Sequence, residues 1–155
     1  MISEPTTTAP VTILFRGTRA AYGFLANFYP APFTLDGRVW PTSEHYFQAQ
    51  KFAGTPYEEA IRQTPSPMIA ARMGRSRQRP LRPDWEAVKE DVMLAALRAK
   101  FAQHADLRAA LLATGSAHLV ERAPRDAYWG DGPNGQGHNR LGALLEQVRA
   151  ELRAE

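Results

Sequence analysis

Residues 40–52 read WPTSEHYFQAQKF, and this stretch decides the predicted fold class. Thr42 or Ser43 can cap a helix that begins here, and Gly54 predicts that the helix ends near residue 53. Short β-like runs precede the stretch, whereas helix caps, prolines and glycines recur after it. The sequence therefore predicts a mainly α fold, a compact helical domain with a small β element near its N-terminus.

The β element is predicted from two short runs. Residues 11–15 are largely apolar and β-branched, as expected of a strand. Residues 33–40 contain an Asp-Gly dipeptide between two β-like pieces, which is the strongest local signal for a hairpin. The polar, Pro- and Thr-rich residues 1–12 predict a disordered tail, so a single folded domain is expected over residues 13–155.

Four more helices are predicted further along the chain. Ser66 followed by Pro67 is typical of a helix start, and Gly74 is expected to stop that helix. Asp84 can cap the longest helix, in which apolar residues form a broad stripe. The predicted ranges are 67–73, 85–103, 106–114 and 139–153.

The composition restricts the chemistry that the chain can perform. Its 155 residues include no cysteine, which excludes a disulfide framework, a thiolate zinc site and a cysteine nucleophile. The 4 histidines have no metal-ligand spacing, and the Gly-x-Ser-x-Gly motif of serine hydrolases does not occur. We therefore expect no metal and no other cofactor, and catalysis by carboxylates and amines.

Charge and hydropathy indicate a protein without a membrane segment. No apolar run is long enough to span a bilayer, and the first residues lack the features of a signal peptide, so a cytoplasmic location is expected. The net charge of +3 is small, but five arginines fall between Arg72 and Arg82. This cluster is either a solvent-exposed helix end and loop or a patch for phosphates or nucleic acid.

A first group of reactive side chains lies on the helix predicted from the opening stretch. Glu44, Gln48 and Lys51 follow one another at spacings of four and three, which places them on one helix face. Their long side chains can converge on one ligand. The same pattern also fits a glutamate that complements the helix dipole and a lysine that is exposed.

A second group occupies residues 125–142. Four glycines between residues 130 and 137 leave backbone amides free to approach an anion, and the loop leads into a helix N-terminus, a natural phosphate site. The loop matches neither a P-loop nor a dinucleotide-binding motif. Asp126 precedes Tyr128 and Trp129, so a carboxylate lies beside aromatic rings that either stack on a base or belong to the core.

Several motifs in the same order resemble the NADAR (NAD and ADP-ribose), or YbiA-like, family. The resemblance extends from about residue 13 to residue 152 and rests on Phe24–Tyr29, Trp40–Phe52, Gly74-Arg75, Arg82-x-Asp84-Trp85, Met93, Lys100-Phe101, Leu112-x-Thr114-Gly115, Glu121, Asp126-x-x-Trp129-Gly130 and Asn139-x-Leu141-Gly142. It implies a compact, mostly helical enzyme that hydrolyses N-glycosidic bonds of ribose derivatives. The substrates associated with the family are ribosylaminopyrimidine phosphates of the early riboflavin pathway and ADP-ribose attached to the amino group of guanine in nucleic acid.

The resemblance implies catalytic roles for Glu44, Lys51 and Asp126. In one route the two carboxyl groups act together: one protonates the leaving amine, and the other stabilises the sugar cation or activates water. In the other route the sugar ring opens and a neutral Lys51 captures C1 as an imine. Lys51 is the favoured lysine because Lys89 and Lys100 are expected to face solvent or the edge of the core.

The resemblance also suggests residues that stack on the base or hydrogen-bond to sugar and phosphate. These predicted substrate-binding residues are Arg16, Asn27, Phe28, Trp85, Trp129, Gly130 and Asn139. Alternatively, Trp85 only anchors its helix in the core and Asn139 only caps the last helix. The expected partner is a ribosylated or ADP-ribosylated amino base, free or within DNA or RNA, and an ADP-ribosyltransferase toxin is a candidate partner. The alternative functions are a non-catalytic ADP-ribose- or NAD-binding module and a nucleic-acid-binding protein.

Overall fold

The computed structural model of the protein describes residues 11–155. In chain order its elements are β1 (Thr12–Phe15), β2 (Phe33–Leu35), β3 (Arg38–Trp40), α1 (Ser43–Gln50), α2 (Pro56–Arg62), α3 (Pro67–Arg75), α4 (Trp85–Gln103), α5 (Ala105–Ala113), β4 (His118–Glu121) and α6 (Arg140–Arg153). Helices dominate this part of the chain, so the predicted mainly α fold is confirmed. The predicted tail, residues 1–12, lies outside the described residues except for its last two, and Thr12 already belongs to β1.

Two local signals account for the start of the helical region. The Thr42 hydroxyl accepts a hydrogen bond from the His45 backbone N–H at 3.1 Å, as a helix cap does, and α1 begins at the next residue. Asp36 and Gly37 adopt positive φ angles of 55° and 75°, the geometry of a two-residue hairpin turn between β2 and β3. The predicted hairpin and helix are both present, although α1 ends at Gln50, slightly earlier than predicted.

Two elements have no counterpart in the sequence-based prediction. α2 has 7 residues, and β4 has only 4. Segments this short carry too little hydrophobic periodicity to be recognised. β4 pairs in parallel with β1 and places Glu121 beside Phe15, so it brings two distant parts of the chain to the same edge. This pairing positions part of the site described below.

Two helix termini differ from their predictions. Gly74 does not stop α3 but lies within it, where a Cβ atom would come 1.9 Å from Oε1 of Gln48 on α1. The glycine therefore allows α1 and α3 to approach closely. Asp84 precedes α4, but its side chain makes no capping hydrogen bond; its Oδ1 accepts instead from Arg82 Nε at 2.6 Å.

The core consists of two clusters that share α4. One contains the fully buried Phe101, Leu119 and Leu145, and joins α4 to α5, α6 and β4. The other, around Trp40 and Ile61, joins α4 to the hairpin and to α1, α2 and α3. α4 is therefore the central element of the fold. No helix in residues 11–155 is long and apolar enough to cross a membrane.

Lys100 of α4 is a lysine buried inside this core. It is 0% exposed, and its Nζ donates to the backbone oxygens of Phe24 at 2.7 Å and Ala26 at 3.1 Å. Burial lowers the pKa of Lys100 to about 7. The expectation that this lysine faces solvent or the core edge is therefore wrong. Its hydrogen bonds hold the segment that carries Asn27 and Phe28.

Candidate active site

A cavity of about 680 Å³, here called the main cavity, brings together most of the predicted site residues. Its walls come from α1, α3, the first half of α4 and the segments around residues 27 and 121–129. This volume lies in the range of pockets that hold small molecules. The predicted site residues that line it are Asn27, Phe28, Glu44, Lys51, Trp85, Asp126 and Trp129.

Glu44 lies in the first turn of α1, at the wall of the main cavity. Its Oε1 accepts a hydrogen bond from Gln48 Nε2, one turn along the helix, at 2.8 Å. Burial raises the pKa of Glu44 and the negative charge of Asp126 adds to the effect, whereas the Gln48 hydrogen bond and the positive charges of Lys51 and Arg75 oppose it. Because burial is the largest influence, Glu44 holds a proton at a higher pH than an ordinary glutamate and can act as an acid.

Lys51 follows α1 directly and is 6% exposed, so the alternative of an exposed lysine is wrong. Its Nζ donates to the Gly74 backbone oxygen at 3.4 Å. Burial lowers the pKa of Lys51 to about 8, with help from the charges of Arg77 and Arg75 and against the charge of Glu44. Lys51 therefore loses its proton at a lower pH than an ordinary lysine.

An aromatic wall stands beside these two residues. The Phe47 ring lies between Trp85 and Trp129, at centroid distances of 5.1 Å and 5.2 Å. Trp85 is 5% exposed and belongs to a core cluster, so it anchors the start of α4 in the core, as the structural alternative predicts. Trp129 is only partly buried and is the better placed of the two to stack on a planar base.

Asp126 holds the turn that presents Trp129. Its Oδ1 accepts hydrogen bonds from the backbone N–H groups of Tyr128 at 3.0 Å and Trp129 at 2.9 Å. Both bonds go to the same oxygen, so Oδ2 has no protein donor within residues 11–155. Asp126 can therefore accept a proton or a hydrogen bond from a ligand without loss of the turn.

Glu121 is a third carboxylate in the main cavity and is absent from the predicted site residues. It is the last residue of β4, and burial raises its pKa to about 7, with further contributions from the negative charges of Asp126, Glu44 and Asp131. Glu121 is one of the residues on which the family resemblance rests, and this is the signal in the sequence that could have identified it as a site residue. Without β4, nothing in the sequence indicates that it lies beside the other two carboxylates.

Gln48 contributes a polar atom without a partner. The residue is 6% exposed, and its Nε2 donates to Glu44. Its Oε1 is the one buried side-chain nitrogen or oxygen atom among residues 11–155 that lacks a hydrogen bond. Buried polar atoms are rarely unpaired in proteins. This oxygen lies against Gly74 of α3, so it is the Nε2 side of the amide that is turned toward Glu44.

Three predicted binding residues lie outside the main cavity. Asn139 uses its side chain to join α6 to β4: Nδ2 donates to the Leu119 oxygen at 2.9 Å, and Oδ1 accepts from the Glu121 N–H at 3.0 Å. Gly130 packs so closely that a Cβ would lie 2.4 Å from the Ala123 Cβ. These two residues are structural, which corrects their predicted role. Arg16 lines a smaller neighbouring cavity.

The glycine-rich loop over residues 130–139 does not offer a row of free amides. The N–H groups of Gly137, His138 and Asn139 donate to backbone oxygens of the protein at 2.7, 2.7 and 3.0 Å. Most of the amides on which the predicted phosphate site depends are therefore paired within the protein, because glycine content does not reveal where the amides point. In residues 11–155 no three His, Asp or Glu side chains are grouped so that they could hold a metal ion.

Comparison with known proteins provides independent evidence on the family resemblance. The family model of the NADAR domain matches residues 14–153. The chain is 60% identical over 143 residues to a protein of Shigella boydii serotype 4 named N-glycosidase YbiA, covering 92% of this chain and 89% of that protein. It is 45% identical over 131 residues to the riboflavin biosynthesis protein VVA0006 of Vibrio vulnificus, covering 84% of this chain and 36% of that protein.

A solved structure shows the same fold. The NMR structure of the E. coli protein YbiA aligns with a TM-score of 0.87 at 57% sequence identity, covering 95% of this chain and 88% of that one. The family model, the sequence identities and the shared fold agree with the resemblance seen in the motifs. The chain therefore belongs to the NADAR domain family.

Proposed function

We propose that this protein is an N-glycosidase, a hydrolase that cleaves the bond between ribose C1 and an exocyclic amine. The observation that carries the proposal is the pair Glu44 and Lys51, which line one cavity with their pKa values displaced in opposite directions. The relative named N-glycosidase supports the same activity. Two substrate classes are proposed: ribosylaminopyrimidine phosphates, supported by the relative named as a riboflavin biosynthesis protein, and ADP-ribose on guanine in nucleic acid.

An imine route uses this pair directly. Glu44 protonates the ring oxygen as the sugar ring opens to a C1=N iminium that still carries the base; the neutral Lys51 amine then adds to C1 and returns a proton to Glu44. Glu44 donates a proton to the base nitrogen, the C1–N bond to the base breaks, and an imine between C1 and Lys51 remains. Water then adds to C1, and the sugar leaves as its aldehyde while Lys51 recovers its amine. The sequence of steps consumes one water and needs no oxidant or reductant.

A direct route uses the carboxylates instead. Glu44 protonates the leaving amine while Asp126 accepts a proton from the water that attacks C1. Glu121, which lines the same cavity, can serve as the base in place of Asp126. In this route Lys51 only binds the substrate.

The test is a side-by-side assay of both substrate classes, with release of ribose 5-phosphate or ADP-ribose as the readout. Lys51→Arg keeps the charge and removes the nucleophile, so the imine route predicts a loss of about a thousandfold or more in turnover. Borohydride added during turnover should trap a sugar adduct on Lys51. Lys89→Arg, which alters another amine at the same cavity, should still give the adduct.

The outcomes separate the possibilities. Near-normal turnover by Lys51→Arg, with no trapped adduct, would contradict the imine route and favour the direct one. Tight binding of ADP-ribose or NAD without release of any product would favour a non-catalytic binding module. If guanine-linked ADP-ribose is the substrate, we propose that the partner enzyme is an ADP-ribosyltransferase that makes this adduct.

The nucleic-acid-binding alternative rests on the arginines between Arg72 and Arg82. Within this group Arg75 lines the main cavity, the Arg79 guanidinium lies 4.0 Å from the Tyr57 ring centroid, and Arg82 pairs with Asp84. Contacts with the protein thus account for several members of the cluster. Duplex binding that weakens steeply with salt and survives Glu44→Gln would favour this alternative.

A further inference from the structure

A second, smaller cavity of about 280 Å³ adjoins the main cavity. We call it the arginine pocket, and its lining residues are Arg16, Arg122, Ala123, Pro124, Arg125 and Asp126. Arg125 and Asp126 line both cavities. The two cavities are therefore adjacent, with Arg125 and Asp126 at their common boundary.

The parallel pairing of β1 with β4 creates this pocket. Phe15 and Glu121 are partners at the ends of the two strands, so the residues that follow them, Arg16 and Arg122, emerge at the same edge. Glu121 lines the main cavity and Arg122 lines the arginine pocket. Two neighbouring residues at the end of β4 thus line different cavities. The arginine pocket therefore has a fixed position relative to the Glu121 carboxylate.

The charge of the arginine pocket favours an anion. Three guanidinium groups face one carboxylate, that of Asp126, whose Oδ1 already accepts two backbone hydrogen bonds. Arg122 donates from Nη1 to Asp131 at 3.2 Å. Within residues 11–155, neither Arg16 nor Arg125 has a carboxylate within the 4.0 Å of an ion pair. All three arginines are exposed and can be approached from solvent.

We propose that the arginine pocket binds a phosphoryl group of the ribosylated substrate while ribose C1 lies in the main cavity. Guanidinium groups present several N–H donors in a planar fork that fits phosphate oxygens. The glycine-rich loop over residues 130–139 is a weaker candidate for this role, because most of its amides donate to acceptors within the protein. The proposal rests on the proposed function for the identity of the ligand, and it covers both a phosphate monoester and the pyrophosphate of ADP-ribose.

The kinetic test uses Arg16→Gln/Arg125→Gln with a ribosylaminopyrimidine phosphate and with the same compound after removal of its phosphate. Loss of charged hydrogen bonds to phosphate should raise KM for the phosphorylated substrate about tenfold or more beyond any change in KM for the dephosphorylated one. The control Arg108→Gln/Arg153→Gln removes the same charge from residues outside both cavities. An equal change for both substrates, or an equal change in the control, would overturn the proposal.

A binding test separates this proposal from the proposed function. Calorimetry of inorganic phosphate and inorganic pyrophosphate should show binding to the wild-type protein that the Arg16→Gln/Arg125→Gln variant loses. Such binding supports the pocket even if neither substrate is hydrolysed, and tighter binding of pyrophosphate points to ADP-ribose as the source. Hydrolysis that proceeds while neither anion binds would overturn the pocket and leave the proposed function standing. If an unmodified single-stranded oligonucleotide inhibits hydrolysis but neither inorganic anion does, that result would also overturn the proposal.

Discussion

Replacing Arg77 with glutamine should raise the pKa of the Lys51 amine and shift the pH dependence of turnover. Arg77 Nη1 and Lys51 Nζ donate to the same Gly74 oxygen, at 2.8 Å and 3.4 Å, so the two nitrogens lie within about 6.2 Å of each other. Two positive charges this close disfavour protonation of the lysine. The repulsion from Arg77 is, after burial, the largest influence that lowers the pKa of Lys51 to about 8.

The size of the effect follows from Coulomb's law. Two unit charges at this separation interact by about 0.7 kcal/mol in bulk water and by about 2.7 kcal/mol at an effective dielectric constant of 20. Arg77 is exposed, so solvent screening favours the lower part of this range, about 0.7–1.4 kcal/mol. This is roughly a three- to tenfold change in the proton affinity of Lys51.

The assay is the single-turnover rate of hydrolysis between pH 6 and pH 10. If attack of the neutral amine on C1 limits the rate and Glu44 stays protonated across this range, the wild-type rate rises with pH around the Lys51 pKa of about 8. For Arg77→Gln the midpoint should move roughly 0.5–1 higher in pH, and the two rates should converge at the alkaline end. Arg79→Gln removes the same charge two residues away, from a guanidinium stacked on Tyr57, and should leave the midpoint in place. An unchanged midpoint in Arg77→Gln, or a loss by the same factor at every pH, would refute the reasoning.

Three further variants test the packing and the buried charges. Gly74→Ala should destabilise the protein by about 1–3 kcal/mol because the added Cβ meets Gln48. In urea denaturation, Gly74→Ala/Gln48→Ala should recover part of this loss, whereas additive losses of stability from the two substitutions would contradict the clash. The Lys100 amine is protonated below about pH 7 in the folded protein and below about pH 10.5 in the unfolded chain. The free energy of unfolding should therefore rise with pH between these two values. Lys100→Met should reduce that slope by up to about 1.4 kcal/mol per pH unit. The pKa of Glu121 is raised from 4.5 to about 7, so its burial costs stability progressively between these pH values and fully above pH 7. Glu121→Gln should therefore be more stable by about 1–3 kcal/mol at pH 8 and by less at pH 5; an equal gain at both pH values would show that its charge is not the cause.

The features that could be predicted from the sequence are those decided locally. The Thr42 cap and the Asp36-Gly37 turn depend on a few adjacent residues, and both occur as predicted. β4 depends on pairing with β1, about a hundred residues away, and its four residues carry no periodicity of their own. Glu121 was missing from the predicted site for that reason.

Burial of the site could not be predicted from helix periodicity. The spacing of Glu44 and Lys51 places them on one face of α1, but it does not say whether that face meets solvent or another helix. The close approach of α3 at Gly74 decides this, and a glycine in that position resembles a helix stop in the sequence. The same ambiguity affected the loop over residues 130–139, whose glycines allow tight internal hydrogen bonds instead of free amides.

Burial favours the neutral forms of both Glu44 and Lys51. Burial raises the pKa of Glu44 and lowers that of Lys51, whereas the attraction between their charged forms opposes both changes. The proposed imine route requires a protonated acid and a neutral amine, and burial shifts both residues in that direction. A cavity more open to water would favour the charged forms, and the lysine would become a poor nucleophile. The proposed imine route therefore depends on the contact between α1 and α3 at Gly74, because the Gly74 backbone oxygen accepts the hydrogen bond from the buried Lys51 amine.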